Sequence, residues 1–166
     1  ATVVTVTFGV NDIGWGTKAD AKHKAEFLAA LGSIIGRCQA KGVRVFICSA
    51  AITAEAPDEA EHNFLQTMSD EGLAIAKAKG AGTIDVQRGM RAVQRRVLAA
   101  NESKPDKTKH DSLHAADGIH LNDLGQMAMA VTILKGLDAP AEVSAATINA
   151  QNGTVALARD CDITAL

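Results

Sequence analysis

The sequence predicts an α/β protein built on a parallel sheet, with a β-hairpin appended at its carboxy-terminal end. Three observations carry that expectation. Val3, Val4, Thr5, Val6, Thr7 and Phe8 are successive β-branched or aromatic residues, the pattern of a strand buried on both faces. Apolar strand-like runs then alternate with amphipathic stretches of helical period, which implies parallel strands joined by right-handed crossovers. Finally, Asn152-Gly153 separates two alternating segments, and both residues accept the positive φ of a tight hairpin turn.

Taken in order, the first strand ends at Gly9, which allows a sharp exit, and delivers Asn11 and Asp12 to its carboxyl end. In open α/β sheets that end is where ligands bind. Asn and Asp also close turns, so the pair is open to a bland reading as well. A glycine-rich loop follows with the chain's one tryptophan, Trp15. A helix is expected over 20–40, with Phe27, Leu28, Leu31, Ile34, Ile35 and Cys38 as its buried stripe and Gly42 closing it. The second strand is expected at 43–48. Pro57, Asp58 and Glu59 then open one helix running to Gly80, with Phe64, Leu65, Met68, Leu73 and Ala76 inward. The third strand is placed at 82–86. A helix over 87–100 turns Met90, Val93 and Val97 to the core and places Arg88, Arg91, Arg95 and Arg96 on or near its outer side. Given the acidic overall balance, those arginines read as a solvated face ahead of a basic groove for an anionic ligand.

Residues 101–116 are polar and without periodicity, the mark of a long surface loop. It delivers Asp117-Gly118-Ile119-His120, after which Asn122 or Asp123 caps a helix reaching Leu137. Leu124, Met127, Ala128, Val131 and Leu134 are its expected buried stripe. The division is residues 1–140 as one α/β domain and 141–166 as a hairpin tail, or the opening of a further domain.

Composition bounds the function. The 166 residues suit a real core, and 47% hydrophobic with 22% charged residues is ordinary for a globular chain. A net charge of −2 gives no case for nucleic acid or an anionic membrane as partner, and no apolar run approaches the length of a membrane span. Cys38, Cys48 and Cys161 form no CxxC, and His110, His114 and His120 fit no standard zinc spacing, so no metal is expected. His23 and His62 read as solvated. A nucleotide- or flavin-binding module would need a phosphate-binding first loop, and none is visible. The chain opens at Ala1 already inside a strand, as expected of a piece of something longer.

Because every crossover returns the chain to the same side, Asn11 and the loop ending in His120 are expected at one sheet edge. Asp117 and His120 are spaced so that the carboxylate reaches Nδ1 and leaves Nε2 as a general base, while the Asn11 amide could donate to a developing oxyanion. A DxxH alone is a weak signal that serves equally to organise a helix start. The combination is stronger. Gly9-Val10-Asn11-Asp12, followed far downstream by Asp117-Gly118-Ile119-His120, resembles the GxND and DxxH blocks of the SGNH (GDSL) hydrolase family over residues 2–137.

The resemblance implies a three-layer, flavodoxin-like sandwich whose amino-terminal strands are missing here. It implies Asn11 as oxyanion donor, His120 as base and Asp117 as its orienting acid, with no cofactor. Gly9 is expected to contact substrate; Trp15, beside that turn, either lines an acyl or sugar pocket or equally covers the start of the helix that follows. The implied activity is serine ester hydrolysis of a small acyl ester, such as a carbohydrate acetyl or lipid ester. The alternative is a degenerate module that binds acyl or carbohydrate groups without turnover. Leu121 stands where many members carry proline. A larger departure is the nucleophile. No GDS occurs, and none of Ser33, Ser49, Ser69, Ser103, Ser112 and Ser144 sits on a glycine elbow. This chain alone is therefore expected to be inactive. The implied sheet order, 2-1-3-4-5, also leaves the edge from Thr2 to Phe8 bare, where a homodimer is expected or, failing that, the hairpin folding back. Composition leaves the compartment open; the resemblance leans to a secreted or periplasmic setting.

Overall fold

The computed structural model describes residues 1–164. Three parallel strands, β1 (Val3–Thr7), β2 (Arg44–Cys48) and β3 (Gly82–Ile84), form a sheet in the order β1-β2-β3. Val6 pairs with Ile47 and Phe46 with Gly82. Helices α1 (Ala21–Gln39) and α3 (Phe64–Ala78) pack through Phe27, Leu31, Ile35, Leu65 and Met68 with Val6 and Val45 into one core. Helices α4 (Val86–Glu102) and α5 (Asp123–Gly136) build a second core with Cys48, Ile52, Ile84 and Met90. Two helical layers thus sandwich a parallel sheet. Each buried aliphatic or aromatic side chain contributes about 2 kcal/mol. The Asp20 side chain caps α1 by accepting from the His23 N–H. Packing therefore sets where α1 lies, and the cap sets where it begins.

The structure departs from the sequence expectations at several places. The helix opening at Pro57 is two: α2 (Pro57–Ala60) ends, and α3 starts afresh because the Asn63 side chain accepts the Gln66 N–H at 2.8 Å. A local side chain-to-backbone bond competes with helix continuation there, and it leaves His62 in a turn rather than on a helix face. The third strand stops at Ile84, because Asp85 caps α4 and Val86 is already helical.

Arg91 does not face solvent. Its side chain is 1% exposed, with Nε 3.1 Å from Glu61 and its guanidinium bonded to Gln66. Arg88 is shared by Glu61, Asp70 and Asp85, and Arg95 meets Asp58 at 3.0 Å. Glu61 and Gln66 hold Arg91 inward, where a buried guanidinium is tolerable only when so paired, while Arg88 and Arg95 stay exposed on the outer side.

The stripe on α5 is also rotated from expectation. Ala128 is buried, with Met129, Ile133 and Leu137 beside it, while Leu124, Met127, Val131 and Leu134 are exposed. The helix is apolar nearly all round, so periodicity could not choose its inner face. Small residues chose it. Gly125 lies against the Leu113 carbonyl and Gly136 against Ile84, each too close to admit a Cβ.

Strands β4 (Ala145–Asn149) and β5 (Thr154–Arg159) form a separate antiparallel hairpin, with Gly153 at φ +66°. The hairpin does not fold back on β1, whose other edge has no strand partner among the described residues.

Candidate active site

The site is assembled from two loops at the carboxyl edge of the sheet. After β1 the chain turns tightly through Gly9 (φ +140°), where a Cβ would stand 2.9 Å from that of Ala50. Ile13 N–H donates to the Gly9 carbonyl at 3.2 Å and Trp15 N–H to that of Val10 at 3.1 Å. Gly14, Trp15 and Gly16 all have positive φ, at 51°, 55° and 101°. For tryptophan that conformation costs roughly 1–2 kcal/mol. It brings the indole back over the turn, where Nε1–H donates to Asn11 Oδ1 at 2.9 Å.

The second loop carries the Asp–His pair. Asp117 Oδ1 accepts the N–H groups of Ile119 and His120, both at 2.9 Å, and Oδ2 meets His120 Nδ1 at 2.7 Å. One carboxylate thus shapes the turn and orients the imidazole. These contacts, the imidazole bond foremost, hold the Asp117 carboxyl down at about 2. As a carboxylate, Asp117 is an acceptor for an Nδ1–H, and a neutral imidazole held in that tautomer would carry its lone pair on Nε2. Both side chains are open to solvent, His120 at 70%.

Three contacts anchor this loop. Ala54 N–H donates to the Gly118 carbonyl at 2.8 Å, tying the loop to the segment after β2. His114, expected on an open loop, is buried, with Nε2 3.0 Å from the Ile52 carbonyl. Asn122 caps α5 through the Gly125 N–H and donates back to the Ser112 carbonyl at 2.7 Å. The role of His114 had no signal in the sequence, because its partner is a backbone carbonyl 62 positions away.

The two loops meet at Trp15. Its ring stands edge-to-face with that of His120, at 75° and 6.3 Å between centroids. Asn11, Trp15, His120 and Asp117 therefore lie side by side at one end of the sheet. Beside the indole is a cavity of about 140 Å³, walled by Val10, Ile13, Phe64 and Leu65, with Glu55 and Asn63 at its polar side. Ser49, at the end of β2, is buried; it donates to Asp85 and accepts from the Gln87 N–H, so it serves the start of α4. Among the described residues, no three His, Cys, Asp or Glu side chains are grouped to hold a metal ion. No helix among them is long and apolar enough to cross a membrane.

The chain is thus a parallel α/β sandwich that gathers an Asp–His pair and an asparagine at the carboxyl edge of its sheet, the edge where such folds bind ligands. The sequence matches the GDSL-like lipase/acylhydrolase family over residues 1–128, and the chain belongs to that family. No curated protein matches it. Among solved structures it is similar to a gut microbial diltiazem-metabolizing enzyme, with a TM-score of 0.68, 22% identity, and coverage of 99% of this chain and 39% of that one. It is also similar to a mutant of an acetyl-xylooligosaccharide esterase from Geobacillus stearothermophilus, with a TM-score of 0.63, 15% identity, and coverage of 84% and 61%. An alpha/beta hydrolase enzyme from the metagenome of Lake Arreo, Spain, gives a TM-score of 0.61 at 18% identity, covering 82% and 60%. At such identities these likenesses concern the fold. The chain spans less than two thirds of each of these proteins.

Proposed function

We propose that this chain supplies the base, its orienting acid and one oxyanion donor of a serine ester hydrolase acting on a small acyl ester. The observation that carries the reading is the Asp117–His120 bond, 2.7 Å long, beside Asn11 at the carboxyl edge. In this reading His120 Nε2 takes the proton of an attacking serine hydroxyl and returns it to the leaving alcohol. Asp117 holds the tautomer and stabilises the imidazolium, and Asn11 donates to the tetrahedral oxyanion. Gly9 lets the chain turn tightly beneath the substrate, and Trp15 bounds it. The small apolar cavity beside Trp15 suits a short acyl group or the rim of a sugar. The nucleophile comes from outside these 166 residues, since no serine here stands on a strand-to-helix elbow. In this reading residues 1–140 are the hydrolase portion, and the tail from 141, which carries the β4–β5 hairpin, is an appendage or the opening of a further domain; its last two residues, 165–166, lie outside the described residues.

The test is hydrolysis of a chromogenic acetate ester. The 166-residue chain alone is expected to show no serine-dependent turnover. A longer form carrying a GDS block is expected to show it, and His120→Ala to lower it by about 10³-fold or more. Robust turnover by the isolated chain, blocked by a serine-directed phosphonate, would refute the assignment of the nucleophile. A longer form that binds acetylated sugars without turnover would favour the degenerate module.

A further inference from the structure

We infer that Trp15 is a positioning residue, which sets the direction of the Asn11 amide and bounds the His120 imidazole. The inference rests on Asn11 as oxyanion donor and His120 as base. An asparagine amide has two nearly isosteric ends, and only the nitrogen end can stabilise an oxyanion. An exposed asparagine would present either end, because a half-turn about its last torsion exchanges them. The indole removes that freedom. Its Nε1–H is a donor only, so the group facing it at 2.9 Å must be Oδ1. The Nδ2 hydrogens are left as the free end, without an acceptor among the described residues.

The bond also withdraws electron density from the amide oxygen, which makes the nitrogen end a better donor. The same ring stands edge-to-face against His120, so one side chain couples the oxyanion donor to the base across two loops 105 positions apart. The left-handed backbone at Trp15, between two glycines also at positive φ, is what turns the indole onto Asn11. Strain of this kind persists only where the surroundings impose it.

Two measurements test this. Trp15 is the chain's one tryptophan, so its indole N–H gives a single ¹⁵N resonance. Asn11→Ala should move that resonance upfield and speed its solvent exchange about tenfold. Asn11→Asp, which keeps an acceptor, should move it downfield. An indole resonance unmoved by both variants would overturn the inference. In a serine-bearing form, Trp15→Phe keeps a ring and deletes the donor. It should lower kcat about tenfold with KM within a factor of two, less than the roughly 10²–10³-fold expected of Asn11→Ala. An unchanged kcat, whether or not KM rises, would leave Trp15 as a wall for substrate alone and reject the positioning role. If Asn11→Ala and His120→Ala leave turnover intact, the underlying assignment fails. If both destroy it while Trp15→Phe does not lower kcat, only the role of Trp15 fails.

Discussion

At the scale of single residues, Asp117 does two jobs with one carboxylate, and its titration separates them from ordinary surface chemistry. Bonds from the imidazole and two backbone N–H groups lower its pKa from 3.8 to about 2. The sign follows from linkage: a carboxyl lowered in the folded state stabilises the fold above its unfolded value, and that contribution is lost as pH falls through about 2. Asp117 therefore stays charged across any working range, and an acidic limb of activity between pH 5 and 7 cannot be assigned to it. Carboxyl ¹³C NMR should give a midpoint near 2 for Asp117, rising toward 3.8 in His120→Gln as the largest contributor is removed. A midpoint already near 3.8 in the parent chain would show that the turn does not persist in solution. The Asp117–His120 spacing was legible in the sequence because both partners lie within one turn. Trp15's bond to Asn11 was not, since it depends on a backbone conformation that composition does not reveal.

At the scale of elements, α5 seats the loop that carries Asp117 and His120. Gly125 lies against the Leu113 carbonyl, and Leu113 leads into His114 and the Asp117 turn. A methyl there meets backbone rather than a flexible side chain, so the helix must shift. Overpacking of this kind costs about 1–3 kcal/mol. Gly125→Ala should lower stability by the upper part of that range in denaturant unfolding, and displace the His120 imidazole resonances. Gly36→Ala, with open space at its Cβ position inside α1, should raise stability by about 0.5–1 kcal/mol through helix propensity and leave the His120 resonances in place. Element order and most helix limits were readable from period and caps. Arg91 was not: sequence counts a charge as outward, and only the approach of Glu61 and Gln66 makes its burial tolerable.

At the scale of the whole molecule, two surfaces stand open together. One is the free edge of β1, and the other is the exposed stripe of Leu124, Met127, Val131 and Leu134 on α5. Bare strand edges and contiguous apolar patches both favour association. The isolated chain is expected to elute above monomer mass in size-exclusion chromatography with light scattering, with a dimer through the 2–8 edge as the closed solution. Thr5→Lys, placing a charge on that edge, should shift it toward monomer; Met127→Glu should do so only if α5 contributes. A parent chain that is monomeric at high concentration would contradict the proposed dimer.

The sequence by itself determined the alternation of strand and helix, the hairpin at Asn152-Gly153, and the two blocks that carry Asn11 and the Asp117–His120 pair. These are matters of period, turn chemistry and short spacing, which act between near neighbours. The tertiary structure decided which face of α5 is buried, where Arg91 goes, how His114 anchors its loop, and that Trp15 stands between Asn11 and His120. Each of those depends on groups distant in sequence meeting at contact distance, where close packing and the cost of an unpaired polar group choose among arrangements that local pattern leaves equivalent.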